Sequence, residues 1–311
     1  MTRRSLVVAR HELGRFASPK LLVAFFVPYL GLATLLALAL VGDADATAST
    51  PLRGQEQLLT AAFAQVSFIW ALGIPAMVLT AVLAASAIAR ESETGTFRIL
   101  LSKPVRRWEV LLGKFGAVYA FTAVVMVTSM LLAASLLYWF SGTHESAIAG
   151  GLGALLLGNL VYALLAAFAV AALATALAVF TGSRLETALV SLLVPSLLFA
   201  FWFVRELTGG RGVYRDAHLY LFDVNYHFGN AFVLVHDVVG TEFSPATQES
   251  LAAITGAYDA HRAFDPILEA TAATIPLTGT VSPAISTAVL FVGPLALLVG
   301  ATVYFERTDV Q

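Results

Sequence analysis

Charged and apolar residues interleave most tightly between positions 90 and 114, where the chain reads Arg90-Glu-Ser-Glu-Thr-Gly-Thr-Phe-Arg-Ile-Leu-Leu-Ser-Lys-Pro-Val-Arg-Arg-Trp-Glu-Val-Leu-Leu-Gly-Lys114. Gly95 permits a turn, Phe97, Leu100 and Leu101 then form a short apolar helical face, and Pro104 stops it. The run Val105–Val110 re-enters a helix. A short apolar face set among charges suits docking into a groove on a partner protein, with the charges fixing register. The alternative is a helix lying on a lipid surface without a partner. Either way the chemistry is recognition.

Bond-making chemistry is poorly supplied. There is no cysteine, which excludes disulfides, thiolate metal sites and cysteine nucleophiles. No G-x-x-x-x-G-K-[ST] phosphate loop occurs, and Gly113-Lys114 lacks both the upstream glycine and a following Ser or Thr. The apolar stretches hold no Ser with His, no paired Asp and no His-Glu zinc motif, so no catalytic residue is assigned. His218, His227 and His236 lie near Asp216, Asp223, Asp237 and His261, a donor set that zinc or copper can use. Their spacing matches no compact ligand motif, and the expectation is that no metal binds there. Were one bound, it would link the chain to permeases that look like those supporting nitrous-oxide reductase maturation.

The elements that must carry these residues follow from composition. Of 311 residues, 59% are hydrophobic and 12% are charged, against about 25% charged in a soluble domain. Mean hydropathy is +0.82. These values favour an integral membrane protein over a soluble enzyme, a disordered chain or a fibrous repeat. A net charge of −2 gives no basic field for nucleic acid.

A helix needs about 20 apolar residues to cross the hydrocarbon core. The expected spans are 21–41, 68–88, 114–140, 151–180, 185–204 and 284–305, with Pro75, Pro195 and Pro294 inside three of them. Lys and Arg concentrate in 1–20 (Arg3, Arg4, Arg10, Arg15, Lys20) and in 90–114 (Arg90, Arg98, Lys103, Arg106, Arg107, Lys114). Basic connections stay inside, so both termini are expected in the cytoplasm and the long loop 205–283 outside. That loop holds Tyr214, Tyr220, Tyr226, Phe228 and Phe232, and reads as short helices packed on the outer ends of the spans. At the start of the chain Leu6, Ala9, Leu13, Phe16 and Ala17 share one helical face opposite Arg4, His11 and Arg15. Residues 1–20 are therefore expected to form an elbow helix on the inner leaflet, the alternative being a basic flank that only sets topology. Mid-span acids of the kind a proton-driven or other partner-free transporter uses are nearly absent, and Glu186 is expected to pair locally with Arg184.

Glu91-Ser-Glu-Thr-Gly-Thr, then Leu100-Leu101-Ser-Lys-Pro104, then Arg107-Trp-Glu-Val-Leu-Leu-Gly113-Lys114 resemble the signature region of ABC type 2 permeases, the membrane subunits of ATP-driven exporters. Ala9-Arg-His-Glu-Leu-Gly-Arg-Phe is similar to that family's elbow region, and Tyr304-Phe-Glu-Arg-Thr-Asp309 to its ending, with Thr308 where a second basic residue is more usual. The resemblance implies an all-α membrane domain over 1–311 with six transmembrane helices, an elbow helix, a coupling helix within 90–110 and a long outer loop. It implies dimers with a second permease copy or homologue, seated in membrane lipid on a cytoplasmic ABC ATPase subunit that holds ATP and Mg. Carried onto this sequence, Glu91, Glu93, Gly95, Thr96, Arg98 and Leu101 would face the ATPase. Arg106 and Arg107 would lie beside that contact or at the lipid headgroups.

Overall fold

In lipid, an uncharged run of Leu, Ala, Val and Phe can satisfy its backbone only as a helix. The computed structural model describes residues 2–41, 47–71, 73–95, 105–193, 204, 207, 213–241, 243–257 and 281–307, and every regular element among them is helical. In chain order these are α1 (Arg3–Phe16), α2 (Pro19–Val41), α3 (Leu52–Gln65), α4 (Ile74–Ala84), α5 (Arg90–Glu93), α6 (Arg107–Ser141) and α7 (Glu145–Thr181). There follow α8 (184–193), α9 (Val213–Asp216), α10 (Val224–Val239), α11 (Pro245–Thr255) and α12 (Pro283–Arg307). Five runs are long and apolar enough to cross a membrane: Pro19–Ala39, Leu52–Glu93, Arg107–Ser141, Leu155–Thr181 and Pro283–Arg307. Of the span expected at 185–204, the described part is mainly α8; Pro195 lies outside the described residues.

The Leu52–Glu93 run is bent. It passes through two π-helical stretches, Val66–Ala71 and Ala85–Ala89, and breaks at Gly73, whose φ of −102° and ψ of −118° are not helical. Pro75 stands in the first turn of α4, just past the break. There its missing N–H leaves no helical bond unmade. A Cβ on Gly73 would fall against the Ile69 and Phe68 carbonyl oxygens, so the close approach at the bend requires glycine.

Two apolar clusters fill the bundle. One, containing Leu83, Ile88, Leu111, Val118 and Phe305, joins α1, α4, α6, α7 and α12 near the end that carries Lys114 and Arg184. The other, containing Phe63, Met126 and Tyr162, lies toward the opposite end. Phe228, Phe232 and Val235 of α10 belong to this second cluster. Helix α10, a short helix of the kind the sequence suggests for this region, lies alongside α7 and α12. Two polar contacts and one close packing contact hold it there. His227 Nδ1 meets Ser286 Oγ at 2.9 Å, Asn230 donates to the same hydroxyl at 2.9 Å, and His236 fills the notch left by Gly158, where a Cβ would overlap its ring.

Candidate coupling site

Lys114 sits near the start of α6 with its side chain 1% exposed. An ammonium has three protons to donate, and three acceptors surround this one: Glu12 Oε1 at 2.7 Å, Glu91 Oε1 at 2.8 Å and the Ala87 carbonyl at 2.7 Å. Each acceptor comes from a different stretch. Glu12 belongs to α1, Ala87 to the π-helical stretch at the end of the bent run, and Glu91 to α5. Arg15, one turn on from Glu12, adds contacts of 2.9 Å to Glu12 and 3.4 Å to Glu91. The cluster thus balances two carboxylates against two cations. The second Glu91 oxygen is buried without a hydrogen bond.

Close packing brings α1 within reach. A Cβ on Gly113 would stand 2.7 Å from both the Ser5 carbonyl oxygen and the Val8 Cβ, so the two helices meet where one side chain is only hydrogen. The buried stripe of α1 is Ser5, Ala9, Glu12 and Phe16, at helical spacing. Sequence periodicity centres the apolar face on Leu6 and Leu13, yet Leu6 is exposed. Glu12 takes a core position because Lys114 supplies its counter-charge.

Further ties join neighbouring elements. Arg106 caps α6, its backbone N–H donating to Glu109 Oε2 at 3.1 Å, and Arg4 stands 3.7 Å from the same oxygen. Arg107 Nη1 donates to the Phe305 carbonyl at 3.2 Å, bringing a cation to the last turn of α12. Glu93 accepts from the backbone N–H and from Nε of Arg184, each at 2.6 Å. Arg184 therefore pairs with Glu93 across the gap between α5 and α8, and the local pairing with Glu186 expected from sequence does not form. Gly95, at φ +67°, makes the turn its position suggests.

Of the residues singled out from sequence, Glu91, Glu93, Gly95, Arg106 and Arg107 gather at this end of the bundle, while Thr96, Arg98 and Leu101 lie outside the described residues. Glu91 turns inward to Lys114. Sequence reasoning gave Glu12 no role and read Lys114 as one of the inside basic residues, at the start of a span. One signal was available: each is a lone charge within an apolar helical stripe. The three histidines do not converge. His218 is exposed beside its own Asp216 carbonyl, His227 uses both ring nitrogens on Ser286 and the Leu221 carbonyl, and His236 bonds the Phe232 carbonyl. Among the described residues no three His, Asp or Glu side chains come together to hold a metal.

The arrangement has no reacting group at its centre. It can transmit displacement, because the bent run, α1 and α6 share one buried ammonium. No curated protein matches the chain. The model of the family described as ABC-2 family transporter protein matches residues 6–310. A multi-pass helical bundle with a charge-pinned end and this match together place the chain in the ABC-2 transporter family, as a permease subunit of an ABC transporter.

Proposed function

We propose that this permease is an exporter driven by a separate cytoplasmic ABC ATPase subunit, which docks on the 90–110 segment. ATP and Mg belong to that partner, in keeping with the missing phosphate loop. Both termini and the Lys114 end of the bundle face the cytoplasm, loop 205–283 faces outward, and two permease copies, identical or homologous, pair in the plasma membrane. Glu93, Gly95, Thr96, Arg98 and Leu101 meet the ATPase, while Glu91 passes the displacement inward.

The observation that carries this reading is the Lys114 cluster. A push on α5 moves Glu91, and Glu91 shares an ammonium with Glu12 of α1 and with α6 itself. Movement of the docking segment therefore cannot leave the adjoining helices behind. Co-expression with a candidate ATPase and affinity purification tests the docking. Arg98→Glu combined with Leu101→Asp should cut recovery of the ATPase and abolish ATP-dependent transport. Glu93 is left intact in that variant because it also holds Arg184. Unchanged recovery and transport would defeat the docking role.

A further inference from the structure

A cavity of about 200 Å³ lies between α4, α7, α8, α12 and the first turn of α10, walled by Met77, Leu173, Leu177, Phe228, Leu290 and Pro294. Its lining is apolar apart from Ser191, which is 8% exposed and whose hydroxyl makes no hydrogen bond. Ser67, Ser129 and Thr175 are likewise without a hydrogen bond, but none of them lines this cavity. Thr128, Ser135, Thr287 and Thr302 each donate to the carbonyl four residues back, the usual resort of a hydroxyl in a helix. Two lining residues, Leu290 and Pro294, stand four apart in α12. Pro294 has no N–H, so the Leu290 carbonyl lacks its helical donor.

We infer that this cavity binds an uncharged molecule with an apolar body and one hydroxyl, of the size of a phenol or a medium-chain alcohol. Apolar cavities of about 150 Å³ take up benzene-sized ligands without water, and this one is slightly larger. The ligand hydroxyl pairs with Ser191, and the Leu290 carbonyl offers a further acceptor. A charged head is rejected, because no ionisable side chain lines the space to compensate its desolvation. The site lies within a single chain and its occupancy is independent of the partner ATPase.

The probe is a photoreactive octanol bearing a diazirine on its alkyl chain, added to the full-length protein in phosphatidylcholine nanodiscs. After irradiation, peptide mass mapping should find adducts around Met77, Leu173 and Phe228. Excess 1-octanol should compete, and octane should compete less well. Ser191→Ala should lower cavity labelling about fivefold, the effect of one lost hydrogen bond. Leu173→Trp, which fills the space, should abolish it while adducts at the exposed Val299 and Val303 persist. Those exposed positions also report that each variant is folded and inserted. Equal labelling of the cavity and of Val299 and Val303, unaffected by Ser191→Ala, would mean surface partitioning alone and overturn the inference.

Discussion

Replacing Lys114 with Met keeps the length and apolar stem of the side chain and removes its charge. Glu12 and Glu91 would then face each other with only Arg15 between them, at 2.9 and 3.4 Å. Removing one partner of a buried ion pair destabilises by about 3–5 kcal/mol, chiefly because the remaining charge is left uncompensated. Arg15 is 35% exposed and relieves part of that loss, so the lower bound of about 3 kcal/mol applies. At about 2 °C per kcal/mol for a large chain, the melting temperature should fall by roughly 6 °C. The assay is thermal unfolding of the purified protein in one fixed detergent, read by tryptophan fluorescence. The decisive comparison is the triple variant Glu12→Gln, Glu91→Gln, Lys114→Met. Replacing a whole buried ionic group by neutral side chains is often neutral or stabilising, so the triple variant should melt above the single one. A single variant as stable as the parent, or a triple variant that melts below the single one, would refute the claim that Lys114 neutralises two buried carboxylates. In the assembled transporter the triple variant should also uncouple ATP hydrolysis from transport, since stability returns without the shared ammonium.

Gly113→Val should force α1 away from α6, at about 1–3 kcal/mol for overpacking; faster tryptic cleavage at Arg10 and Arg15 in the intact bundle measures it. Glu93 accepts two hydrogen bonds from Arg184, so Glu93→Ala should release the start of α8 from α5. Hydrogen exchange at the Arg184 amide should quicken in that variant, and an unchanged rate would contradict the pairing. The chain has no cysteine, so single cysteines report topology cleanly. Those replacing Glu145 and Asp237 should react with an impermeant maleimide in intact cells and one replacing Ser92 only after permeabilisation, and the reverse pattern would invert the orientation.

The long helices were legible because hydropathy is a local property: uncharged runs around 21–41, 114–140 and 284–305 lie within the observed α2, α6 and α12 over nearly their whole length. The Gly95 turn was legible for the same reason, since one residue type relieves one backbone constraint. The Lys114 cluster was not. Its partners are Glu12 and Glu91, and a contact between residues 102 positions apart leaves no periodic trace. A lone charge in an apolar stripe signals that a counter-charge exists without saying where. Helix α10 carries Asn225, His227, Asn230, His236 and Asp237 among its apolar residues, and the sequence does not say which helices it packs against. In the fold, Ser286 and the Leu221 carbonyl bond both ring nitrogens of His227, Ser286 also accepts from Asn230, and the Phe232 carbonyl bonds His236 Nδ1, so the apolar side chains between them can enter the bundle.

The membrane voltage has little hold on the Lys114 assembly. An isolated elementary charge carried across a bilayer exchanges about 2.3 kcal/mol with the field for every 100 mV. Lys114 and Arg15 travelling together with Glu12 and Glu91 sum to zero, so their joint displacement along the membrane normal does no net electrical work. The membrane potential therefore neither drives nor opposes movement of these four side chains as a unit.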